Sequence, residues 1–271
     1  MILPLFKTHY SIGKSILTLS KPSVAARNGS AGAHNDVKKE LNSSITPSSI
    51  EEIFEDGYDL DKFYLVEDSL IGFLEADKLC DKWEKQLIFG LRINATNIIS
   101  EDKKENQKCF HKIIIFAKNG EGCKLINKIY SKAFCENDGV IDFPSLKKMW
   151  DDDLVLMAIP FYDSFIAKNT LHFCNCVPDF SFCEPTFFVE KNYLPFEHLI
   201  LEKIEEYCKT FNFKTQDVKS IFYKDRDDFA AYQTYKCICN RRFGRTLSTP
   251  NFDHLGSQEF CWESFLEEVK K

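Results

Sequence analysis

The chain has no run of about 18 consecutive apolar residues, so its sequence predicts no membrane span. It has no basic excess either. The net charge is −6 and the pI about 5.6, whereas a protein that coats nucleic acid shows a basic stripe. Contact with DNA is therefore expected to be local or made through a partner. No Gly-rich phosphate loop follows any strand-like run, so the nucleotide-binding version of a doubly wound sheet has no support. There is no G-x-S-x-G nucleophile turn and no signature of a Cys–His pair. The eleven cysteines lack the paired spacing of a structural zinc site. Cys174-Asn175-Cys176 and Cys237-Ile238-Cys239 are C-x-C, and these thiols, with Cys183 and Cys261, read as reduced and buried. The start, Met1 to Lys7, is too short for the apolar part of a signal peptide. A cytoplasmic protein is expected.

What is present is a βα rhythm over 271 residues that include 25 phenylalanines. Apolar runs at 63–67, 87–92, 111–116, 154–159, 187–190 and 218–222 read as strands, after a short one near Leu3. Between them, apolar residues recur at spacings of three and four. One helix face carries Phe73, Ala76, Cys80 and Trp83; a second carries Cys123, Ile126, Tyr130 and Ala133; a third carries Leu201, Ile204, Cys208 and Phe211. Strands alternating with such helices predict an α/β protein with a parallel sheet, and strands apolar throughout predict cover on both faces. We expect a distorted parallel β/α barrel over 1–223, with an open doubly wound sheet as the alternative. Residues 21–47 are rich in Ser, Ala, Gly and Asn and are expected to be a mobile insertion. Ser49 and Glu52 form a capping-box pattern, and Gly57 is placed to end the helix that follows. Residues 224–271 break the rhythm and are expected to form a helical and loop extension.

The segment from Phe110-His111-Lys112-Ile113 through Asn119-Gly120-Glu121-Gly122 to Tyr130-Ser131 resembles a strand and helix of the polymerase-and-histidinol-phosphatase (PHP) domain. That domain opens the bacterial DNA polymerase III alpha subunit. Leu65-Val66-Glu67-Asp68-Ser69 and Ile88-Phe89-Gly90-Leu91-Arg92 stand where the family has its Thr-Asp-His-Gly turn and Gly-x-Glu strand. Gly139 to Leu146 resembles the stretch before the fourth barrel strand, and 222–251 resembles the connector to the polymerase body. The resemblance covers nearly the whole chain except 21–47, and 110–131 is its specific part. It implies a TIM-like barrel which, in active members, holds divalent metals at the strand ends.

Carried over residue by residue, the metal set is broken. The opening His-x-His is Lys7-Thr8-His9, the Asp-His turn is Glu67-Asp68, and the Gly-x-Glu carboxylate is Arg92. His111 matches a ligand histidine, a later ligand falls near Pro160, and the final Asp-x-His is Ser220-Ile221-Phe222. Only His9, Asp68, His111 and Glu67 keep donor atoms, and they belong to different subsites. No metal is expected; were the chain active, zinc or manganese would be the cofactor. Lys7 and Arg92 are expected to salt-bridge Glu67 and Asp68 rather than to hold an anion. The resemblance therefore points to a metal-degenerate PHP protein serving as a non-catalytic binding module in DNA replication. Its partner would be a proofreading exonuclease or a polymerase core. Arg241, Arg242 and Arg245 are the expected partner contacts. Two alternatives stand beside this reading. One is a metal-dependent phosphoesterase or 3′–5′ exonuclease using His9, Asp68 and His111. The other is the front piece of a split polymerase.

Overall fold

The computed structural model describes residues 1–21, 48–58, 60–99, 110–239 and 257–270. The apolar runs close on themselves. Strands β1 (Leu3–Phe6), β2 (Lys62–Glu67), β3 (Gln86–Thr96) and β4 (His111–Ala117) are followed by β5 (Val140–Asp142), β6 (Val155–Ile159), β7 (Thr186–Val189) and β8 (Lys214–Ile221). Their order is β2-β1-β8-β7-β6-β4-β3, and a β2–β3 pairing closes a seven-stranded barrel. The short β5 lies outside the ring and pairs with the end of β3, Asn94 opposite Val140.

The barrel is mixed, not parallel. β4 runs antiparallel to both neighbours, with Arg92 opposite Ile114 and Ile115 opposite Met157. The connection explains the departure. Two neighbouring parallel strands need a crossover of a dozen or more residues, usually a helix, whereas antiparallel neighbours need none. The sequence between β3 and β4, Ser100-Glu101-Asp102-Lys103-Lys104-Glu105-Asn106-Gln107-Lys108, has no apolar repeat that could cover the barrel.

Side chains alternate across each strand. Leu5, Val66, Ile114, Phe116, Ala158, Phe188 and Val218 fill the barrel interior. The opposite faces join a larger outer core, in which helices α1 (Ile50–Glu55), α2 (Phe73–Lys82), α3 (Gly120–Ser131), α4 (Phe143–Met149), α5 (Phe165–His172) and α6 (Glu197–Phe211) cover the ring. The predicted helix faces are buried in part: Ala76 and Cys80 in α2 and Ile204 and Cys208 in α6 are buried, joined by Leu79 and Ile200, which were not predicted, whereas Phe73, Trp83 and Leu201 are half-buried and Phe211 is exposed. On α3, Leu125, Ile126 and Ile129 are buried, and together they contribute on the order of 6 kcal/mol of gross apolar stabilisation. Caps fix the ends. Ser49 and Glu52 make the reciprocal capping box before α1, and Gly57 follows that helix at φ +76°.

Two helices of the extension, α7 (Phe229–Cys239) and α8 (Trp262–Val269), return to the barrel. Trp262 and Phe265 enter the outer core, with Trp262 5.6 Å from Phe6 between ring centroids. Lys219 Nζ, fully buried on the outside of β8, bonds Glu268 at 2.6 Å. Arg226 reaches Glu259, Glu263 and Glu267. Most of the 21–47 insertion lies outside the described residues, but its flanks are side by side: Thr18 N donates to Ser48 O at 3.1 Å. Cys176, Cys183 and Cys261 are buried as expected, whereas Cys174, Cys237 and Cys239 are half-buried. Among the described residues no helix is long and apolar enough to cross a membrane.

Candidate functional site

Six ring strands end, and β4 begins, at one mouth of the barrel. The interior alternation decides what lies there. On β1, Lys7 continues the line of Leu3 and Leu5; after β2, Asp68 continues that of Tyr64 and Val66; on β3, Arg92 continues that of Ile88. Lys112 shares the interior face of β4 with Ile114 and Phe116. Positions Lys7, Asp68 and Arg92, singled out in the sequence, therefore meet. Lys7 Nζ lies 3.2 Å from Asp68 Oδ1, and Arg92 Nη1 lies 3.1 Å from the same oxygen. The other arm of Arg92 pairs with Asp163.

The expected salt bridge thus forms on Asp68 but not on Glu67. Glu67 sits one residue out of phase and faces the outer layer. It accepts from Thr8 N at 2.7 Å, from Thr8 Oγ1 at 2.6 Å, and from Ser11 Oγ. Its burial is complete, and that burial raises its carboxyl above the ordinary value against the pull of Lys7 and these bonds.

The two histidines do not join the mouth cluster. His111 is also out of phase, on the outer face of β4. There it stacks on Phe143 at 5.7 Å and meets the edge of Phe165 at 5.9 Å. His9 leaves the barrel line after β1, with Nδ1 3.3 Å from Leu17 O and its ring 4.2 Å from Tyr10. His9, Asp68 and His111 are consequently not one constellation. Ser220 lines the mouth but donates Oγ to Glu190 Oε1 at 2.8 Å, while Phe222 stacks on Phe260 at 5.4 Å. Pro160 also lines the mouth. Arg241, Arg242 and Arg245 lie outside the described residues.

The donor set does not fit a divalent metal. Of the positions that the resemblance would make ligands, two carry the cations Lys7 and Arg92 and two carry Ser220 and Phe222, and Asp68 is already committed to Lys7 and Arg92. Among the described residues no three His, Cys, Asp or Glu side chains gather as a metal-holding group.

What the mouth does contain is a cavity of about 100 Å³ roofed by the extension. Lys7, Lys14, Arg92 and Lys236 contribute cations to its wall, and Asp163 and Glu190 contribute carboxylates. Lys236 comes from α7, where its ammonium sits 5.1 Å from the Tyr232 ring centre. Burial is the main influence on these charges. It pushes the Lys7 ammonium down to about 8 despite Asp68. It pushes Lys112 down to about 7, and the neighbouring Arg92 charge adds to that effect. Burial alone would raise Asp68, but Lys7 and Arg92 hold it well below the usual carboxylate range. On the opposite wall burial raises Glu190, which Ser220 and Asn192 hydrogen-bond. It also raises the Tyr162 hydroxyl, whose donor bond goes to Glu197 Oε1 at 2.6 Å.

Sequence reasoning missed Lys14, Lys112, Asp163, Glu190 and Lys236. For Lys112 the signal was its two-residue spacing from Ile114 and Phe116, but that alternation picks no side until β4 is seen to enter the mouth. Glu190 closes an apolar strand run. Nothing local marks Lys236. The chain matches no protein-family model and no curated protein.

Proposed function

We propose that this chain is a PHP-type, TIM-like barrel whose metal positions have been replaced, and that it works as a non-catalytic binding module in DNA replication. The observation that carries the reading is the Lys7–Asp68–Arg92 ion-pair cluster. It stands at three positions of the resemblance and is built by strands of a closed α/β barrel. A proofreading exonuclease or polymerase core is the proposed partner, with DNA touched only indirectly. The proposed contacts are Arg241, Arg242 and Arg245, whose reversal to Glu should slow association and flatten its salt dependence.

The rival hydrolase reading needs His9, Asp68 and His111 to act together. Its support is weaker because His111 packs between Phe143 and Phe165 on the outside of the barrel. The deciding test is elemental analysis of purified protein, followed by phosphoesterase assays with manganese and zinc. No stoichiometric transition metal and no hydrolysis are expected. Two tightly held ions per chain, or metal-stimulated hydrolysis lost in His9→Ala, would overturn the proposal.

A further inference from the structure

We infer that two copies of this chain pair face to face across α5 and α6, each inserting Phe173 into a groove of the other. The pairing is independent of the proposed role in replication.

Phe173 is the knob. It ends α5 with φ +53°, a left-handed position that glycine or asparagine ordinarily fills. An aromatic residue is strained there. Its side chain is also 92% exposed, so burial does not offset the strain. The backbone around it is fixed. Cys174 N donates to Lys168 O at 3.4 Å. Asn169 bonds both backbone groups of Cys176, donating Nδ2 to the carbonyl at 2.8 Å and accepting from the amide at 2.9 Å. Phe173 therefore stands at the tip of a closed loop. A large apolar side chain on so fixed a backbone loses little freedom when a partner covers it.

The hole lies beside it. Between α5 and α6 is a groove of about 340 Å³. An apolar cavity of roughly 150 Å³ accommodates benzene, so this groove has room for a phenyl ring and part of the loop that carries it. Its wall is aromatic: Phe165 meets the edge of Tyr207 at 5.2 Å, and Tyr207 lies 4.6 Å from Phe211, which is 55% exposed. Such rings favour an aromatic occupant through offset and edge contacts. The exposure of Phe173 shows that it does not fill the groove of its own chain.

A second copy is the occupant because one face carries both parts. A two-fold axis through such a face brings each knob to the other's hole, and the contact closes at two copies. The charges permit it. Lys203 and Glu206, on the groove wall, pair at 2.7 Å, so two chains of net charge −6 meet there without local repulsion. An antiparallel α6 from the copy presents these two charges in reverse order, opposite sign to opposite sign. The area sets the strength. The helix α6 is about 22 Å long and two packed helices are about 20 Å wide, so the face covers roughly 400 Å². That is about half of what each partner buries in a standard interface, and it places the pair among weak, reversible dimers.

Sedimentation velocity of the full chain, from about 1 to about 300 µM, tests this. A reversible monomer–dimer equilibrium is expected, with a dissociation constant of about 10–100 µM. Phe173→Asn suits the left-handed position, so the variant should melt no lower than wild type, yet it should weaken dimerisation at least about tenfold. Thr210→Trp, which fills the groove from an exposed position on α6, should weaken it likewise. Mixed in equal amounts, the two variants should pair with each other better than either pairs with itself, since one intact knob then meets one intact hole. Ile71→Asn removes an exposed aliphatic side chain just before α2 and should leave dimerisation unchanged. A chain that stays monomeric at about 300 µM, a dimer that persists in Phe173→Asn, or a mixture that pairs no better than its components would each overturn the inference.

Discussion

Lys112→Met should stabilise the protein, and the gain should shrink as the pH rises. The change keeps most of the apolar stem and removes the ammonium, a near volume-conserving swap. The sign follows from proton counts. Burial and Arg92 lower the folded-state value of Lys112 from 10.5 to about 7, so between those limits the unfolded chain binds more protons than the folded one. Stability therefore rises with pH across that window, because the cost of the buried charge is relieved as the proton leaves. At about 1.4 kcal/mol for each factor of ten, the full gap corresponds to on the order of 4 kcal/mol at pH 7 and about half of that at pH 9. Lys112 is only half-buried, and water at the mouth screens part of this, so a gain of roughly 2 kcal/mol at pH 7 is expected. Lys7, lowered to about 8, contributes to the wild-type slope in the same direction but is common to both proteins. Urea unfolding of both at about pH 7, 8 and 9, in phosphate-free buffer, isolates Lys112 as the difference. A variant less stable than wild type at pH 7, or a gain that grows with pH, would refute the reasoning.

Asp68→Asn should act in the opposite direction. It leaves Lys7 and one arm of Arg92 facing a neutral amide; since the side chain is 24% exposed, a loss of about 2–3 kcal/mol is expected by chemical denaturation. Gly122→Ala should cost about 3 kcal/mol, since a Cβ there would stand 2.1 Å from the Leu154 carbonyl oxygen, a backbone atom that cannot swing aside. A shift in melting temperature of under about 2 °C would show that α3 can move away from Leu154.

The sequence carried the elements better than their arrangement. Helices α2, α3 and α6 were legible because a 3.6-residue period leaves apolar residues on one face only, as Ala76 and Cys80 do. The strands were legible as apolar runs for the same reason that their orientation was not. A strand buried on both faces is apolar at every position, so nothing marks which alternate set faces inward. His111 drew attention as the rarer residue, whereas Lys112 was not singled out; the structure puts the histidine among Phe143 and Phe165 and the lysine on the interior face of β4, near Arg92 and Asp68. The direction of β4 was hidden too, since a two-residue period reads alike both ways. Within Glu67-Asp68 the same ambiguity decided which carboxylate met Lys7 and Arg92. Lys236 was beyond reach, because its place depends on α7 folding back across the barrel end.

On the proposed reading, Lys7 and Arg92 stand where an active barrel would hold metal ligands, and this bears on what the mouth could do to a phosphate. A bound divalent metal neutralises phosphoryl oxygens and also lowers the pKa of a coordinated water, generating the nucleophile. Lysine and arginine supply the first effect and not the second, because an ammonium donates hydrogen bonds but coordinates no water through an empty orbital. The nearby carboxylates do not restore it. Asp68 is held ionised by Lys7 and Arg92, both of which weaken it as a base. Glu190 is bonded by the Ser220 hydroxyl and Asn192 amide on the far wall. The ion-pair and hydrogen-bond pattern therefore commits the carboxylates that would activate an attacking water. Such a mouth is poorly suited to cleaving a phosphate ester.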